Sequence, residues 1–525
     1  MSAKSARSLS LYAVGRSAAI LTGGAVANQV LGVVRELFLA TQIGATAELD
    51  AFLIALALPI ALAGVLTSGV TVALVPAYLE VREHSGLQEA RRLAGTILTW
   101  VAIAGAVIWL SLEAFAGFAI AITGPGLTAA GQTEAIGFLE LLAPVAFLNA
   151  ISAILFAICQ AEQRFVAISA AAIAGTATTL VTMLLLWERL GLQGLAIGSL
   201  LGPIVVLVLL LGTMVRASVV PLPGLRSRGH LGSFARHAAP LTAGAAVLQL
   251  NVIADRAVAS LLGSGAVSVL RYADVLVRVP VGAIGPAWGA AIYPALVRST
   301  LRGVADSLAL DAERAIRFAT ALFVPVAMLT AAVAPLAVAV AYGRGAFSTD
   351  DLELTAGAVA AFAPLLLILM VSPVLTGALN ARRRGPVLLV GATLNVVLNL
   401  VLDVVFAFSV GVVGVALSSS VTSAIVLGFF AWRLTISEAD FRLHAIGRTL
   451  ALAVVAGTPV TIAAAWLCWT GRTPSDLVPA LGALLGIGAI GMAGYFLVAM
   501  WVGMEESRTL VRLTVGRLLH KTLSW

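Results

Sequence analysis

Charge is scarce in this 525-residue chain: 11% of its residues are Asp, Glu, Lys or Arg, against 60% hydrophobic. No soluble core needs so much apolar matter, so a soluble globular fold is excluded and a polytopic membrane protein is implied. Cysteine is almost missing. Cys159 and Cys468 both fall inside apolar segments, which excludes a disulfide framework and a thiolate metal site. The five histidines, His84, His230, His237, His444 and His520, lie in loops or the tail without metal-ligand spacing. No GxxxxGK[ST] loop cradles phosphate, so the energy source is ions, membrane potential or a substrate gradient rather than ATP. The larger loops carry no acidic catalytic motif, and no enzyme is expected. Aromatic residues make up only 6%, which argues against the aromatic-lined cavity a drug exporter would need. The net charge of +7 indicates no nucleic-acid partner, because the basic residues sit in short loops between apolar runs. The first apolar run is long and leads into Arg35, so it reads as a retained helix rather than a cleaved leader.

Long apolar runs are what the chain has in abundance. At about 20 residues per crossing, they predict fourteen spans, near 16–42, 48–80, 93–116, 135–160, 165–187, 191–215, 235–262, 265–297, 314–341, 351–380, 385–408, 411–433, 446–469 and 477–503. Twenty-five basic residues fall in the loops and termini of one side, against Arg189, Arg344 and Arg472 on the other. The positive-inside rule then puts both termini in the cytoplasm. The tail Glu505–Trp525 mixes Arg508, Arg512, Arg517 and Lys521 with leucines and valine. It reads as an amphipathic helix on the anionic cytoplasmic face.

The chain also repeats itself. LAPVAFLNAISAILFAICQAEQRF from Leu142 is echoed by FAPLLLILMVSPVLTGALNARRRG from Phe362, an offset of 220 residues. At the same offset Gly191, Gly194, Ala196 and Ser199 match Gly411, Gly414, Ala416 and Ser419. Six spans separate the partners, so the repeat is parallel. That is a transporter architecture with substrate between the halves, although duplication also builds inert scaffolds. The domains expected are a six-helix half over 1–218, a second over 219–434, a helix pair over 435–504 and the basic tail over 505–525.

Charged side chains inside spans are costly and mark function by default. In VLRYADVLVRVP (Val269–Pro280), Arg271, Asp274 and Arg278 project from one helical face. They either neutralise one another or line a polar path for a charged substrate. Arg35, Glu36, Asp50, Asp255 and Arg256 complete a set of four positive and four negative groups, which sums to zero. Asn399 and Asp403 lie one turn apart on span 11, Ser419 lies on span 12 with the Val415 carbonyl a turn earlier, and Asp255 sits at a similar depth on span 7. These oxygens suit a small cation such as Na⁺. The carboxylates could instead carry protons, or the amide and hydroxyl could be packing glue.

Three stretches resemble the MurJ/MviN family of lipid II flippases, within the multidrug/oligosaccharidyl-lipid/polysaccharide exporter superfamily. They are Asn28–Pro59, Asp255–Pro280 with its YADxLxxxP pattern, and YGRGAF over Tyr342–Phe347. The resemblance spans essentially the whole chain. It implies a bacterial inner-membrane protein that moves a polyprenyl-diphosphate-linked saccharide outward by alternating access, supplying peptidoglycan synthesis. It further implies a cationic cavity between the halves, a lipid-tail groove formed by spans 13 and 14, and a sodium site matching Asp255, Asn399, Asp403, Val415 and Ser419. Arg35 and Asp50 match functional positions of the family. Gln29, Ala63 and Val275 stand where the family has arginine, Arg278 replaces an acidic residue, and Arg271 is not a usual family arginine.

The reading is therefore an all-α protein of about fourteen transmembrane helices, flipping lipid II from the inner to the outer leaflet. Its substrate-binding residues are Arg35, Asp50, Arg271, Asp274, Arg278, Arg256 and Gln29. No cofactor is expected beyond a possible coupling Na⁺. The partners are the lipid-linked saccharide, the bilayer and the wall-synthesis machinery, with the protein a monomer. The alternatives are a flippase for another lipid-linked saccharide, a cation-coupled drug exporter and an inactive membrane scaffold.

Overall fold

A computed structural model describes residues 3–225, 230–301, 305–382, 384–437, 440–470 and 476–510. The regular structure among these residues is helical throughout. In chain order the helices are α1 (Ala3–Gln42), α2 (Ala47–Ala114), α3 (Ala116–Thr123), α4 (Ala129–Leu142), α5 (Pro144–Ala161), α6 (Phe165–Leu190), α7 (Leu192–Arg216), α8 (His230–Ser260) and α9 (Ala266–Leu301). They continue with α10 (Ala305–Ala332), α11 (Ala334–Tyr342), α12 (Thr349–Phe362), α13 (Leu365–Ala381), α14 (Gly385–Val410), α15 (Val412–Ser437), α16 (Leu443–Trp469) and α17 (Leu477–Trp501). Among the described residues, ten helical stretches are long and apolar enough to cross a membrane. One of them, α2, holds two predicted spans either side of Gly86, whose φ of 85° breaks the helix. With α1, α8 and α9 on three further predicted spans, the described helices are consistent with fourteen crossings. Of the basic tail, residues 511–525 lie outside the described residues.

The repeat is visible as a register of helix ends. Thr128 caps α4 with its hydroxyl, and Ser348, 220 residues on, caps α12 through a reciprocal bond with Asp351. The breaks between α4 and α5 and between α12 and α13 fall at Ala143-Pro144 and Ala363-Pro364. Proline cannot donate to the preceding turn, so the helix restarts there. Gly191 and Gly411 both take positive φ, 52° and 76°, to turn α6 into α7 and α14 into α15. The local breakers were copied with the sequence, and the helices with them.

Two compact units divide the chain: Met1–Phe38 with Ala45–Ser268, and Leu39–Gly44 with Val269–Trp525. In the first, α2 packs against α4, α5 and α8, and α6 against α7. Its core joins Leu74 and Tyr78 of α2 to Ile154 and Ile158 of α5 and Met214 of α7. The Tyr78 hydroxyl donates to Glu162 at 2.7 Å, and Arg82 pairs with the same carboxylate at 2.7 Å. Because α8 lies along α2, it belongs to this unit, whereas the halves expected from the repeat divide the chain at 218. In the second unit, α10 packs against α13 and α16, and α14 against α15. The additional pair α16–α17 docks on α10: Tyr495 donates to the Ala321 carbonyl at 2.9 Å, and Arg317 pairs with buried Glu506 at 2.5 Å.

Two positive-φ glycines separate strain from crowding. Gly345 has φ of 81°, and a Cβ there would come within 2.0 Å of the Thr41 carbonyl oxygen. Gly411 has φ of 76° and open space around the same position. Gly411→Ala should cost about 1–2 kcal/mol, the left-handed penalty alone. Gly345→Ala should cost more, by at least about 1 kcal/mol, because backbone must also move. Thermal unfolding of the detergent-purified variants measures the difference, and equal shifts would refute the crowding argument.

Candidate functional site

In the first unit Asp50 is buried at the start of α2, with 2% of its surface exposed. One carboxylate oxygen accepts from the Gly265 N–H at 2.7 Å; the other accepts from the Ser268 N–H at 2.7 Å and the Ser268 hydroxyl at 2.5 Å. These are the unsatisfied donors at the N-terminus of α9, where the helix dipole also favours a negative charge. Asp50 is thus a cap borrowed from another helix. Asp50, named from the sequence among the substrate-binding residues, is placed by the structure against the start of α9, its oxygens accepting from two backbone amides and one hydroxyl. Arg256 is likewise a tie between helices, its Nη1 donating to the Leu53 carbonyl of α2 at 2.7 Å.

Arg35 is 23% exposed and pairs with Glu36 at 2.8 Å. It lines a cavity of about 490 Å³ between α1, α2, α5, α6 and α7, together with Asn28, Asn149, Ser152, Thr176 and Ser199. Gln29, singled out in the sequence, does not line this cavity; its neighbour Asn28 does. The signal that could have found Asn28, Asn149 and Ser152 was polarity inside apolar spans, but neutral residues carry it weakly. Asp255 is half-buried on α8 and lies in this unit.

In the second unit α9 carries the charged face. Arg278 donates to Asp274 at 2.7 Å, so these two do neutralise each other in part, with the guanidinium 51% exposed. Arg271 is half-buried two turns before Arg278. The intervening Tyr272 faces elsewhere. Its hydroxyl donates to the Gly44 carbonyl at 3.2 Å, the Tyr342 hydroxyl donates to the Tyr272 carbonyl at 3.1 Å, and the Ala346 N–H donates to the Thr41 carbonyl at 3.0 Å. The Tyr272, Tyr342 and Phe347 rings stand 4.9–5.5 Å apart. The YAD and YGRGAF motifs therefore build a joint that grips the end of α1.

The α14–α15 seam holds the other cluster. Asp403 is fully buried and accepts from Asn399 Nδ2 at 2.7 Å and from the Ser418 hydroxyl. The Val415 carbonyl accepts from Ser418 at 2.8 Å and from Ser419 at 3.3 Å. Asn399, Asp403 and Val415 are thus brought together as predicted, while Ser418, passed over in the sequence, makes the contact to the carboxylate. In the repeat-related seam, Thr179, Met183 and Gly198 stand at these positions. There Thr179 donates to the Gly198 carbonyl at 3.0 Å, with no carboxylate at the Met183 position.

A family model described as lipid II flippase MurJ matches residues 39–480. The chain belongs to that family. It is similar to a probable lipid II flippase MurJ of Vibrio cholerae, 26% identical over 514 residues, with 93% of this chain and 96% of that protein covered. A Rhizobium meliloti protein so described is 23% identical over 517 residues, covering 95% and 96%. A solved lipid II flippase MurJ in an inward closed conformation has a TM-score of 0.76 at 19% identity, covering 94% of this chain and 99% of that one. An inward-facing multidrug resistance MATE transporter of the MOP superfamily reaches 0.68 at 15% identity, covering 78% and 94%. The fold is that of a MurJ-type membrane transporter, and the family points to transport rather than catalysis.

The capping role of Asp50 is testable against its neighbours. Asp50→Ala should destabilise the protein by about 2–4 kcal/mol, since it strands buried amide donors, whereas Ser268→Ala removes one hydroxyl bond and should cost about 1 kcal/mol. Thermal unfolding separates them. A stable Asp50→Ala protein that fails only in transport would restore Asp50 to the substrate path.

Proposed function

We propose that this chain is a lipid II flippase of the bacterial cytoplasmic membrane, carrying its substrate from the inner to the outer leaflet by alternating access, with both termini in the cytoplasm. The match to the MurJ family over residues 39–480 carries this reading. The chemistry of the charged spans supports it. A diphosphate favours guanidinium groups, which offer paired donors in a planar fork. Arg35, Arg271 and Arg278 are the candidates, and two of them pair with a carboxylate, Arg35 with Glu36 at 2.8 Å and Arg278 with Asp274 at 2.7 Å. The carboxylate lowers the cost of the cation while no substrate is bound. It then competes with phosphate, which lets the substrate leave once the cavity has changed face.

The donor set around Asp403 fits a small hard cation: one carboxylate, the Asn399 amide oxygen after rotation, the Val415 carbonyl and a hydroxyl from Ser418 or Ser419. A bound Na⁺ would supply coupling to the ion gradient. Asp255 is assigned to the same role by the family resemblance alone. A flippase for another lipid-linked saccharide is the second reading, favoured by Gln29, Ala63 and Val275 at positions where the family carries arginine.

Complementation of a bacterium depleted of its own flippase, scored by lipid II exposure on the outer leaflet, tests the function. Rescue should be lost with Arg278→Ala. Asp274→Asn should bind lipid II more tightly and turn over more slowly, because its arginine is no longer contested. Full rescue by Arg278→Ala would exclude Arg278 from phosphate binding, and failure of the wild-type protein despite membrane insertion would favour the other saccharide. Separately, Na⁺ in place of choline should raise the thermal midpoint of the wild type and leave Asp403→Asn unmoved; equal responses would exclude this cation site.

A further inference from the structure

The cavity inside the first unit has a polarity that its architecture does not require. Its volume of about 490 Å³ is matched in the second unit by a cavity of about 510 Å³ between α10, α12, α13, α15 and α16. The latter is lined by aliphatic groups such as Ile316, Val324, Leu367 and Leu450, with Thr320 its single hydroxyl. The former carries two amides, several hydroxyls and the Arg35 guanidinium, and no carboxylate. The two cavities are built from different elements, the second including α16 from outside the repeat, and one is polar where the other is apolar.

The polar lining is also incomplete as it stands. Hydroxyls in apolar helices usually bond back to the preceding turn, as Thr67 does to the Ala63 carbonyl at 2.7 Å and Thr179 to Gly175 at 3.2 Å. Ser152 does not. Its side chain is 96% buried by its 4% exposure, and its Oγ has no hydrogen-bond partner; the Asn28 Oδ1 is buried and unpartnered as well. Buried polar atoms without partners are rare because each costs desolvation without return. Two of them in the wall of one cavity, large enough for a ligand, mark a surface that is completed by something else. A wholly anionic occupant is a poor match, since neutral donors and acceptors outnumber the one guanidinium in the lining, Arg35. A metal cation is worse, with no carboxylate in the lining and a guanidinium present. Arg35 apart, the lining intermixes neutral donors and acceptors, which suit an uncharged group that carries both.

We propose that this intra-unit cavity is a subsite for the saccharide part of the transported head group, with Asn28, Asn149 and Ser152 bonding sugar hydroxyls and amides. The inference rests on the reading of the chain as a flippase for a lipid-linked saccharide. Arg35, in the same wall, would hold the adjoining phosphate, so the subsite fixes which sugar can follow the carrier lipid.

The test compares two probes on the purified full-length protein: lipid II, and the polyprenyl diphosphate without its saccharide. Ser152→Ala should weaken lipid II binding about 3–10-fold, the worth of one neutral hydrogen bond, and Asn149→Leu at least as much. Both variants should bind the saccharide-free carrier as the wild type does. The thermal midpoint of Ser152→Ala should be unchanged or higher, because its hydroxyl has no partner to lose. Unchanged lipid II affinity in both variants overturns the subsite, and so does an equal loss for both probes, which would mean an indirect effect on phosphate. A wild type that binds the two probes equally well also overturns it while leaving the flippase reading intact. Binding of neither probe by the wild type would instead remove the flippase reading, and the subsite with it.

Discussion

A polar group inside an apolar span must find its partner within the protein, because lipid offers none. Several of the polar residues inside the spans answer to that constraint. Asp50 satisfies it by capping α9, Arg256 by bonding a carbonyl of α2, and Tyr272 and Tyr342 by closing a ring of contacts around Gly44 and Thr41. Stability and function compete for the same side chains. The residues left to function are those whose bonds can be exchanged, such as Arg278 beside Asp274, or have yet to be made, such as Ser152.

Duplication shaped what each unit could become. The helix caps, proline breaks and turn glycines recur 220 residues apart, so the backbone path was copied. The seams then diverged. Between α6 and α7, Gly198 and Gly202 bring backbones close, and a single threonine bond crosses between them. Between α14 and α15, Ser418 and Thr422 occupy the matching positions, and Ser418 bonds Asp403 across the seam. One seam is dry packing of the kind small residues favour in membranes. The other buries a carboxylate against an amide and a hydroxyl.

Much of this was legible in advance, for reasons tied to period and cost. The fourteen apolar runs are local signals and the described helices are consistent with them; the Pro144 and Pro364 breaks and the Gly191 and Gly411 turns were marked in the sequence only as repeated positions, the glycines being read as helix-packing sites. Asn399 and Asp403 share a helical face by spacing alone, and they meet. The capping contact of Asp50 was not legible because a buried carboxylate announces its cost and not its partner; the partner lies 215 residues away, on a helix start that no local pattern points to. Ser418 was passed over in favour of Ser419 because adjacent residues on a helix differ by about 100° in direction, and only packing decides which one faces α14. Neutral Asn28, Asn149 and Ser152 drew no attention at all.

The sequence by itself determined the class of this protein: a helical, many-span, duplicated membrane transporter of the lipid II flippase MurJ family. Apolar length, loop charge and repeat offset are one-dimensional quantities, and a membrane converts them almost directly into topology. The tertiary structure alone decided which charges are free to act. That depends on what stands opposite a side chain across a helix interface, and opposition between distant segments is a property of the packed chain.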